Sequence, residues 1–249
     1  MNPPSPATDE RQLRVDLAAL FRLAARCGLN ESVAHHFSAA VSADGRQFLV
    51  NPKWRHFAQM RASDLLLLDA DDPRRMMAMP DQLDPTAWAI HGQVRKRLRT
   101  ARVVMHLRPV HATAIACRAD PEIKPIDQNT ARYFNRVAID RLFGGMADAD
   151  TEGARIAGAL ASMSRLMMGN HGVLIAAETA GEAYDDFYTM ERACRTLSLA
   201  YSTGRRLNIL PPEVAEKTAR DWESLRGFSQ AHFDEMKRLL DREDPSYAD

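Results

Sequence analysis

The sequence predicts an α/β fold in which helices cover both faces of a central sheet. Stretches with apolar residues at helical spacing are interleaved with short apolar or alternating runs that are typical of strands. The two kinds of segment do not alternate strictly, which favours a layered sandwich over a barrel. With 249 residues, of which 45% are hydrophobic, the chain can bury a full core, and we expect one large domain.

The first third of the chain predicts a helix, a hairpin and a buried strand. Residues 11–27 carry apolar side chains at helical spacing and stop at Gly28. Residues 33–41 shift toward alternation, and a polar turn leads into a second short strand at 47–50. Residues 63–69 contain four consecutive leucines, a length that suits a strand buried on both faces.

The rest of the chain predicts helices around a strand at 102–107. Asp84 caps a helix that the following proline opens, and apolar residues at helical spacing continue to Thr100. Two prolines at 211–212 interrupt the last long helix, and the polar tail 213–249 keeps helical periodicity. Further helices are predicted at 110–117, 152–163 and 183–201, and two short strands within 166–176.

These elements divide the chain into three parts. Residues 1–8 are proline-rich and polar, and we expect a disordered leader there. Residues 9–210 form the folded domain. Residues 211–249 form a helical tail that packs on this domain or on a neighbouring subunit.

Composition limits the possible partners. The 33 basic and 33 acidic residues cancel, so net charge does not recruit nucleic acid or an anionic membrane, and a charged ligand needs a local site. Three widely spaced cysteines favour reduced thiols over a disulfide framework. The N-terminus has no signal-peptide core, and no apolar run reaches the length of a membrane span. We therefore expect a soluble, cytoplasmic protein.

The most informative motif is His106-Leu107-Arg108-Pro109 at the end of a predicted strand, with Asn170-His171-Gly172 about sixty residues later. Alternate residues of a strand point to one face, so His-x-His on a strand aims two imidazoles at one ion. A distant histidine at a tight turn completes such a site. Here Arg108 stands at the second position, so the pattern is that of a metal site with one ligand replaced.

Together with Glu182-Ala183-Tyr184 and Glu191-Arg192-Ala193-Cys194, these motifs resemble the class II aldolase/adducin family over roughly residues 13–206. The resemblance is closer to the adducin-like bacterial branch than to the sugar-phosphate aldolases. It implies a class II aldolase-like three-layer α/β/α sandwich with a central mixed, mostly antiparallel sheet. It also implies a homo-oligomer, a dimer or tetramer, whose cleft borrows tail residues such as His232 or Tyr247.

The resemblance further implies a divalent metal, usually zinc, held by three histidines. His106 and His171 match two of these positions, and Arg108 occupies the third. The carboxylate that carries a proton in the aldolases falls at Ala87, four residues before His91. Of the turn that binds phosphate in the sugar-phosphate enzymes, only Ser38 remains, which implies a non-phosphorylated substrate.

Arg108 itself cannot be a ligand, because a guanidinium stays protonated and has no lone pair to donate. Two unit charges about 4 Å apart interact by roughly 4 kcal/mol at an effective dielectric of about 20, and a dication doubles this repulsion. Two alternatives stay open. Either Arg108 turns toward a carboxylate and His91 or His111 completes a ligand set, or Arg108 replaces the metal by stabilising an enolate or binding a substrate carboxylate.

Other side chains are candidates for acid–base chemistry and substrate binding. With Ala87 lacking a carboxylate, His91 and Tyr133 join Arg108 as catalytic candidates. His35 and His36 lie on a predicted strand, so we expect at most one of them in the cleft. The substrate-binding candidates are His36, Ser38, Asn51 and Gln128.

Three functions are consistent with these features, in order of preference. The first is a lyase of aldolase or decarboxylase type that acts on a small, non-phosphorylated carboxylate or carbonyl substrate; it predicts that Arg108, His106 and His171 meet in one cleft. The second is a noncatalytic, adducin-like binding or scaffold protein with a filled or flat cleft. The third is another metalloenzyme, such as an oxygenase, whose ligand set includes His91 or His111.

Overall fold

The structure is a computed structural model that describes residues 9–79, 81–145, 150–225 and 227–249. The predicted leader, residues 1–8, lies outside the described residues. No helix in the described part of the chain is long and apolar enough to cross a lipid bilayer.

The described strands form one mixed, mostly antiparallel sheet, as predicted. Its order is β3-β2-β1-β4-β7-β6-β5, and only the pair β5–β6 is parallel. The central position of β4 matters for function, because its end carries the His106-Leu107-Arg108 motif. The strands are β1 (His36–Ala40), β2 (Gln47–Val50), β3 (Leu66–Asp69), β4 (Val103–Leu107), β5 (Ala138–Asp140), β6 (Arg165–Met168) and β7 (Gly172–Ala177).

Helices cover both faces of the sheet and complete the predicted three layers. The larger core lies between one face and α1, α4, α7 and α9, whereas α3 and α6 enclose a smaller core on the other face. The α-helices are α1 (Glu10–Arg26), α2 (Pro73–Met77), α3 (Pro85–Arg97), α4 (Val110–Ala116), α5 (Gln128–Ala131), α6 (Asp150–Leu160), α7 (Ala180–Ser202), α8 (Pro212–Ser224) and α9 (Phe228–Glu243).

Two predicted strands are shorter than expected. The strand predicted at 33–41 begins only at His36, because His35 has a left-handed backbone with φ of 79°. The one predicted at 63–69 starts with a 3₁₀ turn and pairs only from Leu66. The elements α2, α5 and β5 were not predicted, since three to five residues are too few to show a periodicity.

The C-terminal tail packs on the domain of its own chain. Phe233 and Leu240 of α9 are buried in the larger core. The two tail residues that the resemblance suggested for a neighbouring cleft are engaged here: His232 Nδ1 lies 2.8 Å from Asp185 Oδ1, and the Tyr247 hydroxyl donates to Asp241 Oδ1 at 2.6 Å. In this chain, both side chains therefore stabilise the observed position of the C-terminal tail.

Strand register creates the site at one end of the sheet. β1 and β4 pair with His36 directly opposite His106. β4 and β7 pair down to Leu107 and Val173, which brings the turn before β7 against the end of β4. Residues distant in sequence thus meet at the ends of three neighbouring strands.

Candidate functional site

A cavity of about 120 Å³ lies where β1, β4 and β7 meet. Its polar wall contains four histidines, two arginines, two carboxylates and Thr86, and one of the arginines, Arg108, directly follows β4. The residues used below from this wall are His35, His36, Thr86, His106, Arg108 and His171.

His106 and His171 aim their Nε2 atoms at each other over 2.9 Å. His106 Nδ1 lies 3.1 Å from the carbonyl oxygen of Val173, which only accepts, so Nδ1 carries the proton. His106 Nε2 is then the acceptor, and His171 Nε2 donates to it. Burial holds the pKa of His106 well below its usual range, so this ring is neutral near pH 7.

The turn before β7 places His171. Asn170 adopts a left-handed backbone with φ of 55°, and the Asn170 amide donates to the Ala116 carbonyl. Directly after His171, a Cβ on Gly172 would lie 2.4 Å from the Leu107 carbonyl oxygen, so only glycine fits this close approach. This explains the Asn-His-Gly motif in physical terms.

Arg108 faces the cavity and pairs with a carboxylate at the same time. Its Nε donates to Glu31 Oε2 at 2.8 Å, and its side chain is 35% exposed. Burial is the largest cause that lowers the pKa of His35 and of His171, and the positive charge of Arg108 is the second. Arg108 therefore pairs with a carboxylate and also lines the cleft, although the sequence presented these arrangements as alternatives.

The described residues do not fit a three-histidine metal site. Their His, Cys, Asp and Glu side chains form no group of three that could hold an ion. His106 and His171 supply two nitrogen donors, and a cation stands at the third position. Neither His91 nor His111 lines the cavity among the described residues, so neither completes the ligand set in this geometry.

Behind the cavity, a chain of hydrogen bonds runs in one direction to Asp84. The Thr86 hydroxyl donates to Asp84 Oδ1 at 2.8 Å, so it accepts from His36 Nε2 at 3.2 Å. His36 Nδ1 then accepts from His91 Nε2 at 2.6 Å, and His91 Nδ1 accepts from the Ser38 hydroxyl. Burial lowers the pKa of His36 to about 4 and that of His91 well below its usual range, which matches neutral rings.

These hydrogen bonds engage three residues that the sequence suggested for catalysis or substrate binding. His91, a catalytic candidate, and Ser38, a substrate-binding candidate, are fully buried behind His36 and do not line the cavity. Both ring nitrogens of His36 are engaged, so His36 presents only carbon atoms to a ligand. These residues hold the cavity wall in place.

The other candidates lie elsewhere. Asn51 is buried and hydrogen-bonds the backbone at His35 and Phe37. Gln128 begins α5, which packs on α7 and α8 away from the cavity. The Tyr133 hydroxyl donates to the Asp186 carbonyl at 2.9 Å, burial raises the pKa of Tyr133 well above its usual range, and Tyr133 does not line this cavity.

His35 is one of the cavity residues that sequence reasoning missed, together with Thr86, Glu152 and Arg155. Alternation along a strand admitted only one of His35 and His36, yet both line the cavity. The left-handed backbone at His35 breaks the alternation. Adjacent histidines just before a predicted strand were the available signal, but the turn itself was not readable from the sequence.

The buried histidines predict a loss of stability on acidification. As the pH falls below about 6.5, the unfolded chain protonates His35 and His36, whereas the folded chain does not until about pH 3 and about pH 4. Folded-state pKa values below the unfolded value give stability that is present above pH 6.5 and is lost as the pH falls. We expect each ring to lower the free energy of unfolding by about 1.4 kcal/mol per pH unit below pH 6.5.

Urea unfolding at pH 7.5, 6.5 and 5.5 measures this effect above the range in which most carboxylates titrate. A His35→Asn variant, which cannot take up that proton, should show a shallower slope. An unfolding free energy that stays constant from pH 7.5 to 5.5 contradicts the prediction.

Comparison with known proteins places this architecture. The sequence model of the family described as Class II Aldolase and Adducin N-terminal domain matches residues 15–198 of this chain. A Caulobacter vibrioides protein assigned by name to the class 2 aldolases is 31% identical over 242 residues, covering 96% of this chain and 93% of the relative. Decarboxylase NovR of Streptomyces niveus is 26% identical over 204 residues, 82% of this chain and 74% of its own length.

Solved structures agree with this placement. The crystal structure of an aldolase II superfamily protein from Pseudomonas syringae superposes with a TM-score of 0.87 at 27% identity, covering 98% of this chain and 97% of that one. The sheet order, the His106 and His171 positions and these matches lead to one conclusion. The chain belongs to the class II aldolase and adducin family.

Proposed function

We propose that this protein is a carbon–carbon lyase of aldolase or decarboxylase type, acting on a small, non-phosphorylated substrate with a carboxylate or carbonyl group. The observation that carries the proposal is the meeting of Arg108, His106 and His171 in one cavity. The family name and the decarboxylase among the relatives support the reaction class. An open cavity with converging polar groups favours an enzyme over the scaffold alternative.

Each of the three groups has a defined chemical task. Breaking a carbon–carbon bond beside a carbonyl leaves an enolate, and the fixed positive charge of Arg108 stabilises that oxygen. His171 Nε2 carries a proton and donates it in a hydrogen bond to His106 Nε2, so His171 Nδ1 keeps a free lone pair. This nitrogen accepts the proton that the substrate hydroxyl releases in an aldol cleavage, and then returns that proton to the enolate carbon.

A non-phosphorylated substrate is supported by the position of Ser38. Of the family's phosphate-binding turn, only this residue remains. Its hydroxyl is buried and donates a hydrogen bond to His91 Nδ1. A cavity of about 120 Å³ also suits a small substrate. The oxygenase alternative is less favoured, because His91 and His111 do not line the cavity.

Members of this family are often oligomers that act on small molecules. For this chain, a homo-oligomer stays a prediction. Leu142 and Phe143 at the cavity wall are 67% and 51% exposed, which is consistent with a neighbouring subunit covering them.

Replacing Arg108 with glutamine tests the proposed function. We expect kcat/KM to fall about 100-fold on the best substrate found in a panel of small hydroxy and oxo acids, because the charge that stabilises the enolate is removed. Coupled detection of released pyruvate, aldehyde or carbon dioxide measures the reaction.

The chain offers a closely matched control in Arg26. Its side chain is also 35% exposed and also pairs with an exposed glutamate, Glu243, but it lies outside the cavity. Arg26→Gln should keep wild-type activity. The proposal fails if the wild-type protein cleaves no member of the panel, or if Arg108→Gln is as active as Arg26→Gln.

A further inference from the structure

The imidazole of His35 lines the cavity but has no part in the chemistry proposed above. Its side chain is only 3% exposed, and neither ring nitrogen has a hydrogen-bond partner among the described residues. Burying a polar group without a partner costs about 1–3 kcal/mol. A group left in this state beside a cavity points to a ligand that supplies the missing bond.

The backbone at His35 is strained in a way that serves the cavity. Its φ of 79° is unfavourable for a residue with a Cβ. Asn51 fixes this conformation through two bonds of 3.2 Å, one from its Nδ2 to the His35 carbonyl and one from the Phe37 amide to its Oδ1. In a regular strand, the ring would point away from the face that His36 occupies. Strain held in place by a buried side chain is typical of ligand sites.

Glu31 lies closer to one ring nitrogen of His35 and favours the proton there. Its Oε2 lies 3.7 Å from His35 Nε2 and accepts from Arg108 Nε at 2.8 Å. The nearby carboxylate favours the proton on Nε2, which leaves Nδ1 with a lone pair. Burial and Arg108 lower the pKa of His35 to about 3, so the ring is neutral at pH 7. A lone pair needs a donor, which neither a carboxylate nor a ketone provides.

We propose that Nδ1 of His35 accepts a hydrogen bond from a hydroxyl group of the substrate. This inference rests on the proposed function, because Arg108 holds the carboxylate or carbonyl end of the same molecule. Arg108 Nε and His35 Nε2 lie 2.8 Å and 3.7 Å from the same Glu31 oxygen, so one small molecule can contact both side chains. The substrate class is thereby narrowed to hydroxy carboxylates and hydroxy ketones, and His35 separates them from compounds without the hydroxyl.

Acetate and glycolate, which differ by one hydroxyl group, are suitable probes. We expect the wild-type protein to bind glycolate about three- to tenfold more tightly than acetate, the range for one neutral hydrogen bond. His35→Leu should bind the two acids equally, and Arg108→Gln should weaken both by a similar factor. Titration followed by NMR gives the dissociation constants, and thermal unfolding checks that each variant is folded.

A measurement on the unaltered protein does not depend on the folding of His35→Leu. In protein labelled with ¹⁵N-histidine, the Nδ1 resonance of His35 should move on addition of glycolate and stay in place with acetate. The signal is assigned by its loss in His35→Asn, a residue that tolerates the left-handed backbone.

The outcomes separate the two proposals. If His35→Leu keeps the preference for glycolate, or the Nδ1 resonance does not respond, the role of His35 is overturned while a loss of binding in Arg108→Gln still supports the proposed function. If Arg108→Gln binds both acids as the wild type does, or the wild type binds neither, the proposed function is overturned and the role of His35 with it.

Discussion

Arg108→His is expected to raise the affinity for zinc on the order of 1,000-fold, because it removes a cation and adds a third imidazole at once. Two donors are already in place. His106 Nε2 and His171 Nε2 are 2.9 Å apart, and the Val173 carbonyl holds the His106 ring with Nε2 turned inward. Such a fixed tautomer is what a metal-binding histidine requires.

Two further variants separate the contributions. Arg108→Gln removes the repulsion without adding a ligand, and its gain in zinc affinity should be smaller than that of Arg108→His. Adding His171→Ala to Arg108→His should abolish the gain. Competition with a zinc indicator measures the affinity, and elemental analysis of protein prepared without a histidine tag measures the stoichiometry. Stoichiometric, tight zinc binding by the wild-type protein would show that Arg108 does not exclude the ion.

Gly172→Ala is expected to destabilise the fold by about 3 kcal/mol or more, since an added Cβ overlaps backbone that cannot move aside cheaply. This Cβ would lie 2.4 Å from the Leu107 carbonyl oxygen and 3.2 Å from Arg108 Cα. The two strands must separate at the point where they place His106, Arg108 and His171. Any folded remainder should therefore also lose the binding of small acids.

Gly92 in α3 provides the matched control, because it is also buried but has space. A Cβ there would meet Ala70 at 3.7 Å, an ordinary contact. Since alanine is favoured over glycine within a helix by about 0.5–1 kcal/mol, Gly92→Ala should leave stability unchanged or raise it. Chemical unfolding compares the two variants. A Gly172→Ala protein with wild-type stability would contradict the close packing described here.

The sequence specified much of the fold because long elements carry strong periodic signals. The helix predicted from Asp84 to Thr100 is observed from Pro85 to Arg97 with Asp84 as its cap, and the strand at 47–50 is observed with the same bounds. The family motifs also indicated the three layers and the mixed sheet. Short elements such as β5 escaped prediction, because their strand state depends on pairing with β6 rather than on their own residues.

For the site, the sequence by itself determined which functional groups stand at the motif positions and which one is missing. His106, Arg108 and His171 stand at motif positions, and Ala87 lacks a carboxylate, whatever the fold does with them. Chain order cannot reveal which polar groups are already satisfied. Only the tertiary structure decided that His91 and Ser38 are engaged behind His36 and that Arg108 pairs with Glu31 at the cavity.

His35 shows the same division in a single residue. The sequence supplied a histidine next to a strand, and the rule of alternation turned it away from the cleft. Asn51, which follows β2, fixes a left-handed turn that rotates the ring back and leaves its nitrogens without partners. The local sequence pattern predicts an element when the element's own residues stabilise it. A turn that a side chain distant in sequence stabilises forms only when the chain has folded, so the local pattern does not predict it.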